Sequence, residues 1–361
     1  MKDMYPKGFR AGAVASGMRY QDRPDLGLIV ADSFHSGAAV FTRNLCKAAP
    51  VLWSQKRFEK GRAVLANAGQ ANAQTGPKGL ADAKESARRV AGLLGVKTDE
   101  VLLASTGIIG QPMEMGKLTD ALPGLVGSLG GDGFDLFSQA ILTTDTGPKT
   151  GFARGDVEGR EFTIWACAKG SGMISPSMAT MLAFVLCDLK VEPDALQRIL
   201  RRACDRTLNR VTVDGDGSTN DSLFLLCSGL SPLESIKSSR SQLGAVFEES
   251  LTMVLYSLAQ QIAIDGEGST KYVVVTVRGA RNDREAALAA RTVAESPLVK
   301  TAFYGEDPNW GRVLAALGRS GASFDPYKVD LDLLFAPEDE PPDNEPSIVP
   351  WVRNGMDNGC E

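Results

Sequence analysis

The chain has 361 residues, of which 43% are apolar and 23% are charged, and its formal net charge is −5. This length and apolar content are enough to bury one large core or two ordinary ones. Lysines and arginines are scattered rather than gathered into a basic stripe, so the composition argues against a nucleic-acid partner. No stretch has the continuous apolar run that a secretion signal or a membrane span needs, and we expect a cytoplasmic protein with no membrane partner.

Strands and one helix are predicted for the N-terminal part of the chain. The stretches "LGLIVADS" and "AAVFTRNLCKAAPVLW", together with residues 63–66, have the pattern of strands. A helix follows with one apolar face, and Gly95 is its predicted end. The strand "EVLLA" then runs into the loop "STGIIG". The apolar face of the helix comprises Leu80, Ala87, Val90, Leu93 and Leu94.

Strands and helices also interleave in the rest of the chain. "EFTIWACA" alternates as a strand does, and "TMLAFVLCDL" is apolar on both faces, as a buried strand would be. "PDALQRILRRACDRTLNR" and residues 241–263 are predicted helices, "VTVD", "SLFLLCSGL" and "KYVVVTVRGA" predicted strands, and "REAALAARTVAESPLVKTA" is helical again. The last segment is rich in proline and acid, which indicates a loop. The interleaving predicts an α/β or α+β fold of layered sheets and helices.

Histidine-based and nucleotide-based sites are disfavoured. His35 is the single histidine and lies in a predicted turn, so a serine–histidine relay or a zinc HExxH site would have to use it. "GSGMIS" breaks the dinucleotide fingerprint at its last position. "DGDGSTNDSLFL" begins like a calcium loop, but Thr219 and Leu225 stand where glycine and glutamate are needed, and we interpret it as a structural turn. We expect no metal and no bound cofactor.

Thr180 stands at the junction "KGSGMISPSMATML". A threonine hydroxyl needs an adjacent base to be a good nucleophile, and the nearest candidate is its own α-amine, whose pKa is about 7.7–8.0. That amine exists only if the chain is cut between Ala179 and Thr180. Gly170, Gly172 and Pro176 allow a strained turn in which the Thr180 hydroxyl attacks the Ala179 carbonyl and forms an ester that water hydrolyses.

The same junction resembles the self-cleavage signature of the ornithine acetyltransferase family, the bifunctional glutamate/ornithine acetyltransferases of the arginine pathway. Six further stretches resemble family motifs, in the family's order, over roughly residues 8–320. They are "NAGQANAQTGPKG", "ASTGIIGQPM", "ILTTDTGPK", "DGDGSTNDS", "DGEGSTK" and "SPLVKTAFYGEDPNWGR". The resemblance implies the layered fold that these enzymes share with self-cleaving aminopeptidases.

The resemblance also implies a role for each matching residue. Thr180 would be the nucleophile that carries the acetyl group, and Thr106 and Gly107 would form the oxyanion hole through a hydroxyl and a backbone N–H. Acetyl would pass from N-acetylornithine to glutamate, and use of acetyl-CoA as a second donor is left open. The implied substrate contacts are Thr143, Lys169, Thr180 and Glu267, and Thr143 is favoured over its neighbour Thr144.

Cleavage would divide the chain into an alpha chain, residues 1–179, and a beta chain, residues 180–361, which we expect to assemble as a heterotetramer of two alpha and two beta chains. Family members continue past "NGMDNGC" into further strands and a tail that contacts substrate. We therefore expect an incomplete C-terminal lobe at about 275–361.

Two other functions stay open at this point. The first is a self-cleaving amidase or aminopeptidase, in which water replaces the acceptor amine, although such relatives typically carry serine at the cut. The second is an inactive remnant, which the missing C-terminal segment suggests. In "DPNWGR" we interpret Asn309, Trp310 and Arg312 as structural.

Overall fold

The computed structural model describes residues 4–175, 181–335 and 347–359. The chain divides into two compact units, Met1–Ser269 and Thr270–Glu361. The described strands of the first unit are β1 (Phe9–Val14), β2 (Leu26–Ala31), β3 (Ser36–Phe41), β4 (Ala63–Gln70), β5 (Val101–Ile108), β6 (Lys149–Val157), β7 (Arg160–Lys169), β8 (Leu182–Cys187) and β9 (Ser222–Cys227). Its described helices are α1 (Ala49–Ser54), α2 (Gly76–Leu94), α3 (Met115–Gly127), α4 (Phe134–Ala140), α5 (Pro193–Arg206) and α6 (Gln242–Ile264).

Two sheets organise the first unit. One has the order β1-β2-β4-β5 and the other the order β3-β9-β8-β7-β6. Only two neighbouring pairs of these strands, β4 with β5 and β8 with β9, run parallel, whereas the other pairs are antiparallel. The mixture of parallel and antiparallel strands with interleaved helices confirms the predicted mixed α/β class.

The two sheets pack face to face, because side chains of a strand alternate between its two faces. In β8, Leu182, Phe184 and Leu186 contribute to the core between the sheets. The intervening Ala183 and Val185 face the core under α5 and α6. Each large apolar side chain buried in this way stabilises the fold by roughly 1.5–3 kcal/mol.

Helices cover the outer face of the other sheet as well. Leu65 of β4 and Leu103 of β5 lie in one core with apolar side chains of α2 and α3, among them Val90 and Leu122. On the predicted apolar face of α2, Ala87 and Val90 are buried, whereas Leu80 and Leu93 are about half exposed. The first unit is therefore a layered arrangement of helices, sheet, sheet and helices.

The second unit is smaller and has its own core. Its described elements are α7 (Asp283–Ala294), α8 (Pro297–Tyr304), α9 (Trp310–Gly318), β10 (Leu331–Phe335), β11 (Ser347–Arg353) and β12 (Met356–Asp357), with the three strands in one antiparallel sheet. Trp351 and Val352 pack there against Val313. The Asn309 side chain caps α9 by accepting the Arg312 N–H, and the Arg312 guanidinium donates to the Leu298 carbonyl.

Four sequence predictions of local structure are wrong. "KYVVVTVRGA" and "VTVD" form no strand among the described residues. A strand needs a neighbouring strand to satisfy its backbone N–H and C=O groups. In "VTVD", Val213 instead donates its N–H to the carbonyl of Ile174, which lies outside any strand. The end of "AAVFTRNLCKAAPVLW" is helix α1, which has Pro50 in its first turn. The proline-rich tail contains β11 and β12, because β10 provides a partner for pairing.

No helix among the described residues is long and apolar enough to cross a membrane.

Two buried aspartates lead to opposite predictions for stability. Asp221 is buried, and neither of its carboxyl oxygens has a partner in good hydrogen-bond geometry among the described residues. Burial raises its pKa well above the ordinary value, and the nearby Met181 and Ser218 N–H groups and Thr42 hydroxyl oppose this rise only in part. A raised folded-state pKa means that stability falls as the pH rises above the unfolded value of about 3.9. Asp221→Asn, which is neutral at every pH, should raise the free energy of unfolding near neutral pH by about 1 kcal/mol or more.

Asp25 is the matched control. It is equally buried, but its carboxylate accepts the Ser16 N–H and hydroxyl and the N–H groups of Arg19 and Tyr20. Asp25→Asn should lower the free energy of unfolding by about 3 kcal/mol, since an amide nitrogen cannot accept from these donors. Urea unfolding at about pH 5 and about pH 8 measures both variants. Destabilisation by Asp221→Asn at the higher pH would contradict the first prediction.

Candidate active site

The end of β5 carries Thr106 and Gly107. Gly107 pairs with Gly69 on the parallel strand β4 and has φ +131°. A Cβ at Gly107 would lie 2.1 Å from the Gly69 carbonyl oxygen, so this position accepts only glycine. The glycine to which the resemblance gives an oxyanion-hole role is therefore also required by the close approach of two strands.

Lys169 lies at the end of β7, opposite Leu182 in the antiparallel register with β8. Its side chain is 9% exposed, and its Nζ donates to the Thr143 hydroxyl at 2.6 Å and to the Thr106 hydroxyl at 3.3 Å. The neighbouring Thr144 is exposed. The structure thus brings Thr106, Thr143 and Lys169 together from three distant segments of the chain.

Asp145 is the buried anion beneath these groups. Its carboxylate accepts the Lys149 Nζ at 2.7 Å and the Gly170 N–H at 2.6 Å, and lies 3.7 Å from the Lys169 Nζ. Burial raises the pKa of Asp145, but Lys169 and Lys149 outweigh burial and hold it below the ordinary value. Burial lowers the pKa of Lys169, which the Asp145 charge opposes and Lys149 and Arg19 reinforce.

Lys149 connects this anion to the loop that carries Glu267. Its Nζ also donates to the Asp265 carboxylate at 2.5 Å, and that carboxylate accepts the Thr146 N–H and hydroxyl. Burial raises the pKa of Asp265, and its hydrogen bonds with Lys149 and Thr146 bring it below the ordinary value. Asp145, Lys149 and Asp265 therefore form one cluster, called the charge cluster below.

Glu267 lies against the turn formed by residues 170–172, called the glycine turn below. Its N–H donates to the Ser171 carbonyl at 2.9 Å, and the Ser171 hydroxyl donates to the Asp265 carbonyl at 2.6 Å. A Cβ at Gly172 would lie 2.5 Å from the Glu267 carboxyl carbon, so the glycine makes room for this side chain. Glu267 is exposed beside the turn, and among the described residues its carboxylate forms no hydrogen bond or ion pair with Lys169 or Thr106.

The turn that precedes the predicted cut is anchored by the "DGDG" loop. The Asp214 carboxylate accepts the N–H groups of Met173 and Ile174, and Met173 has φ +59°. The Asn220 side chain donates to the Ser105 carbonyl at 2.8 Å, next to Thr106. The loop therefore has the structural role that its sequence predicts. The predicted cleavage residues Ala179 and Thr180 lie outside the described residues.

Sequence patterns did not single out Arg19, Tyr20 or the charge cluster as a whole. The Arg19 guanidinium and the Tyr20 hydroxyl both donate to the Thr143 carbonyl, at 3.2 and 3.1 Å. A partial signal was present in "TTDTGPK", where an acid and a lysine are four residues apart beside a predicted contact residue. Among the described residues, no group of three or more His, Cys, Asp or Glu side chains could hold a metal ion.

Asp145→Asn should remove a charge on which two buried lysines depend. Loss of one partner from a buried ion pair typically costs about 3–5 kcal/mol of stability. We therefore expect Asp145→Asn to lower the free energy of unfolding by about this amount at pH 7. The folded-state pKa of Asp145 is lowered, so its contribution is complete above the unfolded value of about 3.9 and disappears as the pH falls through the folded value. The difference in the free energy of unfolding between wild type and Asp145→Asn should therefore become smaller below about pH 4, which urea unfolding at several pH values measures.

Glu85→Gln is the control for this experiment. Its hydrogen bonds with Arg88 and Arg89 lower the pKa of Glu85 to about 2, but these side chains are on the surface of α2. The urea midpoint of Glu85→Gln should change little, because solvent and salt screen exposed pairs. Equal midpoints for both variants would contradict the importance of the buried charge.

The model of the ArgJ family matches residues 10–347. The arginine biosynthesis bifunctional protein ArgJ of Geobacter sulfurreducens is 48% identical over 330 residues, which cover 91% of this chain and 84% of that protein. The protein of the same name from Desulfotalea psychrophila is 46% identical over 327 residues, which cover 90% of this chain and 83% of that protein.

A solved structure of the ArgJ protein from Bacillus halodurans is 35% identical, covers 48% of this chain and 91% of that chain, and has a TM-score of 0.45. The family match extends over most of this sequence, and the two relatives share nearly half of its residues. The family match and the two relatives confirm the resemblance seen in the motifs. This chain belongs to the ArgJ family of arginine biosynthesis enzymes.

Proposed function

We propose that this protein is a self-processing acetyltransferase that moves the acetyl group of N-acetylornithine to glutamate through an acetyl-Thr180 intermediate. Membership of the ArgJ family supports the reaction class. The observation that carries the assignment of residues is the convergence of the Thr106 and Thr143 hydroxyls on the Lys169 Nζ. Lys169 is opposite Leu182, which follows Thr180 by two positions in the chain.

Self-processing comes first in this scheme. The Thr180 hydroxyl adds to the Ala179 carbonyl carbon, the peptide C–N bond breaks, and the nitrogen becomes the Thr180 α-amine. Water then hydrolyses the ester between Ala179 and Thr180. The new amine has a pKa of about 7.7–8.0, which suits a base near neutral pH.

Acetyl transfer repeats the same addition on a substrate. The Thr180 hydroxyl attacks the acetyl carbonyl of N-acetylornithine and passes its proton to the α-amine, while the Thr106 hydroxyl and the Gly107 N–H bind the oxyanion. Collapse of the adduct breaks the acetyl C–N bond, and ornithine leaves with the proton. The glutamate amine then attacks the acetyl-enzyme, which gives N-acetylglutamate and restores the hydroxyl.

The scheme assigns the remaining contacts and the assembly. Thr143, Lys169 and Glu267 bind substrate, with Glu267 suited to an amino group because its carboxylate is exposed beside the turn. The alpha chain, residues 1–179, and the beta chain, residues 180–361, stay together, and two of each form a heterotetramer. No bound cofactor is required, and acetyl-CoA is a second acetyl donor to be tested. A cytoplasmic location stays a prediction.

Intact mass under denaturing conditions tests self-processing. Wild-type protein should give two pieces, residues 1–179 and 180–361, whereas Thr180→Ala should stay whole because it lacks the attacking hydroxyl. Thr144→Ala is the control, since Thr144 is exposed next to the site, and it should be cut as wild type is. A single full-length mass for wild-type protein would rule out the self-processing mechanism.

Isotope exchange and an oxyanion variant test the transfer step. A covalent acetyl-enzyme requires labelled ornithine to enter N-acetylornithine in the absence of glutamate. Thr106→Val should lower kcat per cleaved chain by about 10²–10³-fold, because one oxyanion donor is lost. Thr106→Ser keeps the hydroxyl and should retain most of the activity.

Formation of acetate without N-acetylglutamate would instead indicate an amidase. Exchange that depends on glutamate would exclude the covalent intermediate even if N-acetylglutamate is formed.

A further inference from the structure

Arg19 carries a charge beside the candidate active site that no carboxylate balances. Its guanidinium donates to the Thr143 carbonyl at 3.2 Å and to the Tyr20 hydroxyl. A guanidinium has five N–H donors and stays charged in proteins. Among the residues that the structure describes, its other N–H groups form no hydrogen bond and its charge forms no ion pair. Arg19 therefore has both donors and charge available for an anion.

The neighbours of Arg19 place it at the site rather than on the open surface. The Thr143 hydroxyl accepts the Lys169 Nζ at 2.6 Å, so the two cations contact the same threonine, one at its side chain and the other at its carbonyl. A Cβ at Gly69 would lie 3.1 Å from the Arg19 Cβ, and Gly69 is the strand partner of Gly107. The Arg19 charge also contributes to the lowered pKa of Lys169. Arg19 thus adjoins both the substrate contacts and the oxyanion glycine.

The buried Asp25 fixes the loop that carries Arg19. Its carboxylate accepts the Arg19 N–H at 2.8 Å and the Tyr20 N–H at 3.1 Å, as well as the N–H and the hydroxyl of Ser16. This carboxylate is therefore occupied by donors of the loop and forms no ion pair with the Arg19 guanidinium. The main chain at Arg19 is held in place, while the charge at the end of its side chain is left for another partner.

The proposed acetyl transfer needs a cation of this kind. Ornithine has a side chain that ends in an ammonium, whereas the side chain of glutamate ends in a carboxylate. Glu267 suits the ammonium, but a second carboxylate beside it would face a like charge. The Lys169 ammonium donates to two threonine hydroxyls and has a third N–H for the α-carboxylate that both substrates carry. The carboxylate that glutamate alone carries therefore requires a further cation.

We propose that Arg19 is a specificity-determining residue that binds the side-chain carboxylate of glutamate when glutamate accepts the acetyl group. The inference rests on the proposed acetyl transfer and adds the group that recognises the acceptor. A guanidinium suits this task, because it can form two parallel N–H···O bonds with one carboxylate. Since ornithine lacks this carboxylate, Arg19 acts on the second half of the reaction and not on the first.

The experiment measures the two halves separately in wild-type and Arg19→Gln proteins. Exchange of labelled ornithine into N-acetylornithine without glutamate reports the first half, and kcat/KM for glutamate reports the second. Arg19→Gln should lower kcat/KM for glutamate by about 10–100-fold, because hydrogen bonds to a charged group are lost, and should change the exchange rate by less than about twofold. An unchanged kcat/KM for glutamate, or equal losses in both halves, would overturn the inference.

Glutamine is the acceptor that tests the charge itself, because it has the shape of glutamate and an uncharged side-chain amide. Wild-type protein should use glutamate at least about tenfold better than glutamine in kcat/KM, and Arg19→Gln should lose most of this preference. Arg19→Lys keeps the charge and should keep part of it. Wild-type protein that uses both acceptors equally would refute the proposal without any variant.

Two further variants separate a contact with substrate from an indirect effect. Tyr20→Phe removes the other donor to the Thr143 carbonyl but no charge, so a displaced Thr143 should affect both halves and leave the preference for glutamate intact. Arg23→Gln is the matched control, since it removes an exposed guanidinium that stacks on the Tyr20 ring at 3.6 Å, and it should leave both halves unchanged. A loss of preference in either variant as large as that in Arg19→Gln would contradict a direct contact.

Folding and the parent proposal are checked in the same samples. Each variant is scored per cleaved chain from its intact mass, and its Tm is compared with that of wild type. Absence of ornithine exchange in cleaved wild-type protein would overturn the proposed function and this inference with it. Normal exchange together with equal use of glutamate and glutamine would overturn this inference alone.

Discussion

The buried carboxylate of Asp145 is the constraint on which the candidate site depends. It contacts the Lys149 and Lys169 ammonium groups and accepts the N–H groups of Thr143 and Gly170. These contacts join the loop before β6, the end of β7 and the start of the glycine turn. Removal of this carboxylate would leave two buried cations with one remaining anion, Asp265, so the geometry and the charge balance of the site are set by the same group.

Burial of apolar side chains between the layered sheets offsets the free-energy cost of burying these charges. The same sheets place the cluster next to the reacting groups. The first sheet provides the end of β5 with Thr106, and the second provides the end of β7 with Lys169, while the large apolar core between the sheets holds the two strands at fixed positions. Packed interiors deform little, so a hydroxyl and an ammonium on facing sheets keep a hydrogen-bonded distance. The polar cluster lies where the strands end, at the edge of this apolar core.

The sequence predicted those parts of the fold and site that have a local signal. Alternating apolar residues identified β7, and a run that is apolar on both faces identified β8. Helical periodicity identified α5 and α6. These patterns are visible because the buried positions of a strand or helix recur with the period of that element. The motifs led to Thr106, Thr143 and Lys169, which the structure brings together. "KYVVVTVRGA" has the local pattern of a strand, but pairing depends on a neighbour elsewhere in the chain, and local patterns do not contain that information.

The charge cluster as a whole could not be predicted for a related reason, although Asp145 and Lys149 lie four residues apart in the sequence. Asp145, Lys149 and Asp265 look like ordinary loop charges in the sequence, and Asp265 is more than 100 residues away from its partner Lys149. Their burial follows from the packing of loops at the sheet ends, which no short window of sequence reveals. Asp214 is the opposite case, because its local sequence suggested more than the structure shows. Its loop resembles a calcium site in part, but the Asp214 carboxylate accepts the N–H groups of Met173 and Ile174 in the turn before the cut.

On the proposed mechanism, self-cleavage and acetyl transfer are one chemical event at two different carbonyls. In each, the Thr180 hydroxyl adds to a carbonyl carbon, and negative charge develops on the carbonyl oxygen. The groups that would stabilise that charge, Thr106 and Gly107, both precede the cut in the chain and lie at the end of β5, which packing of the two sheets holds in place. The fold therefore prepares the oxyanion site before any peptide bond is broken, and cleavage adds the one group still absent, the free amine of Thr180.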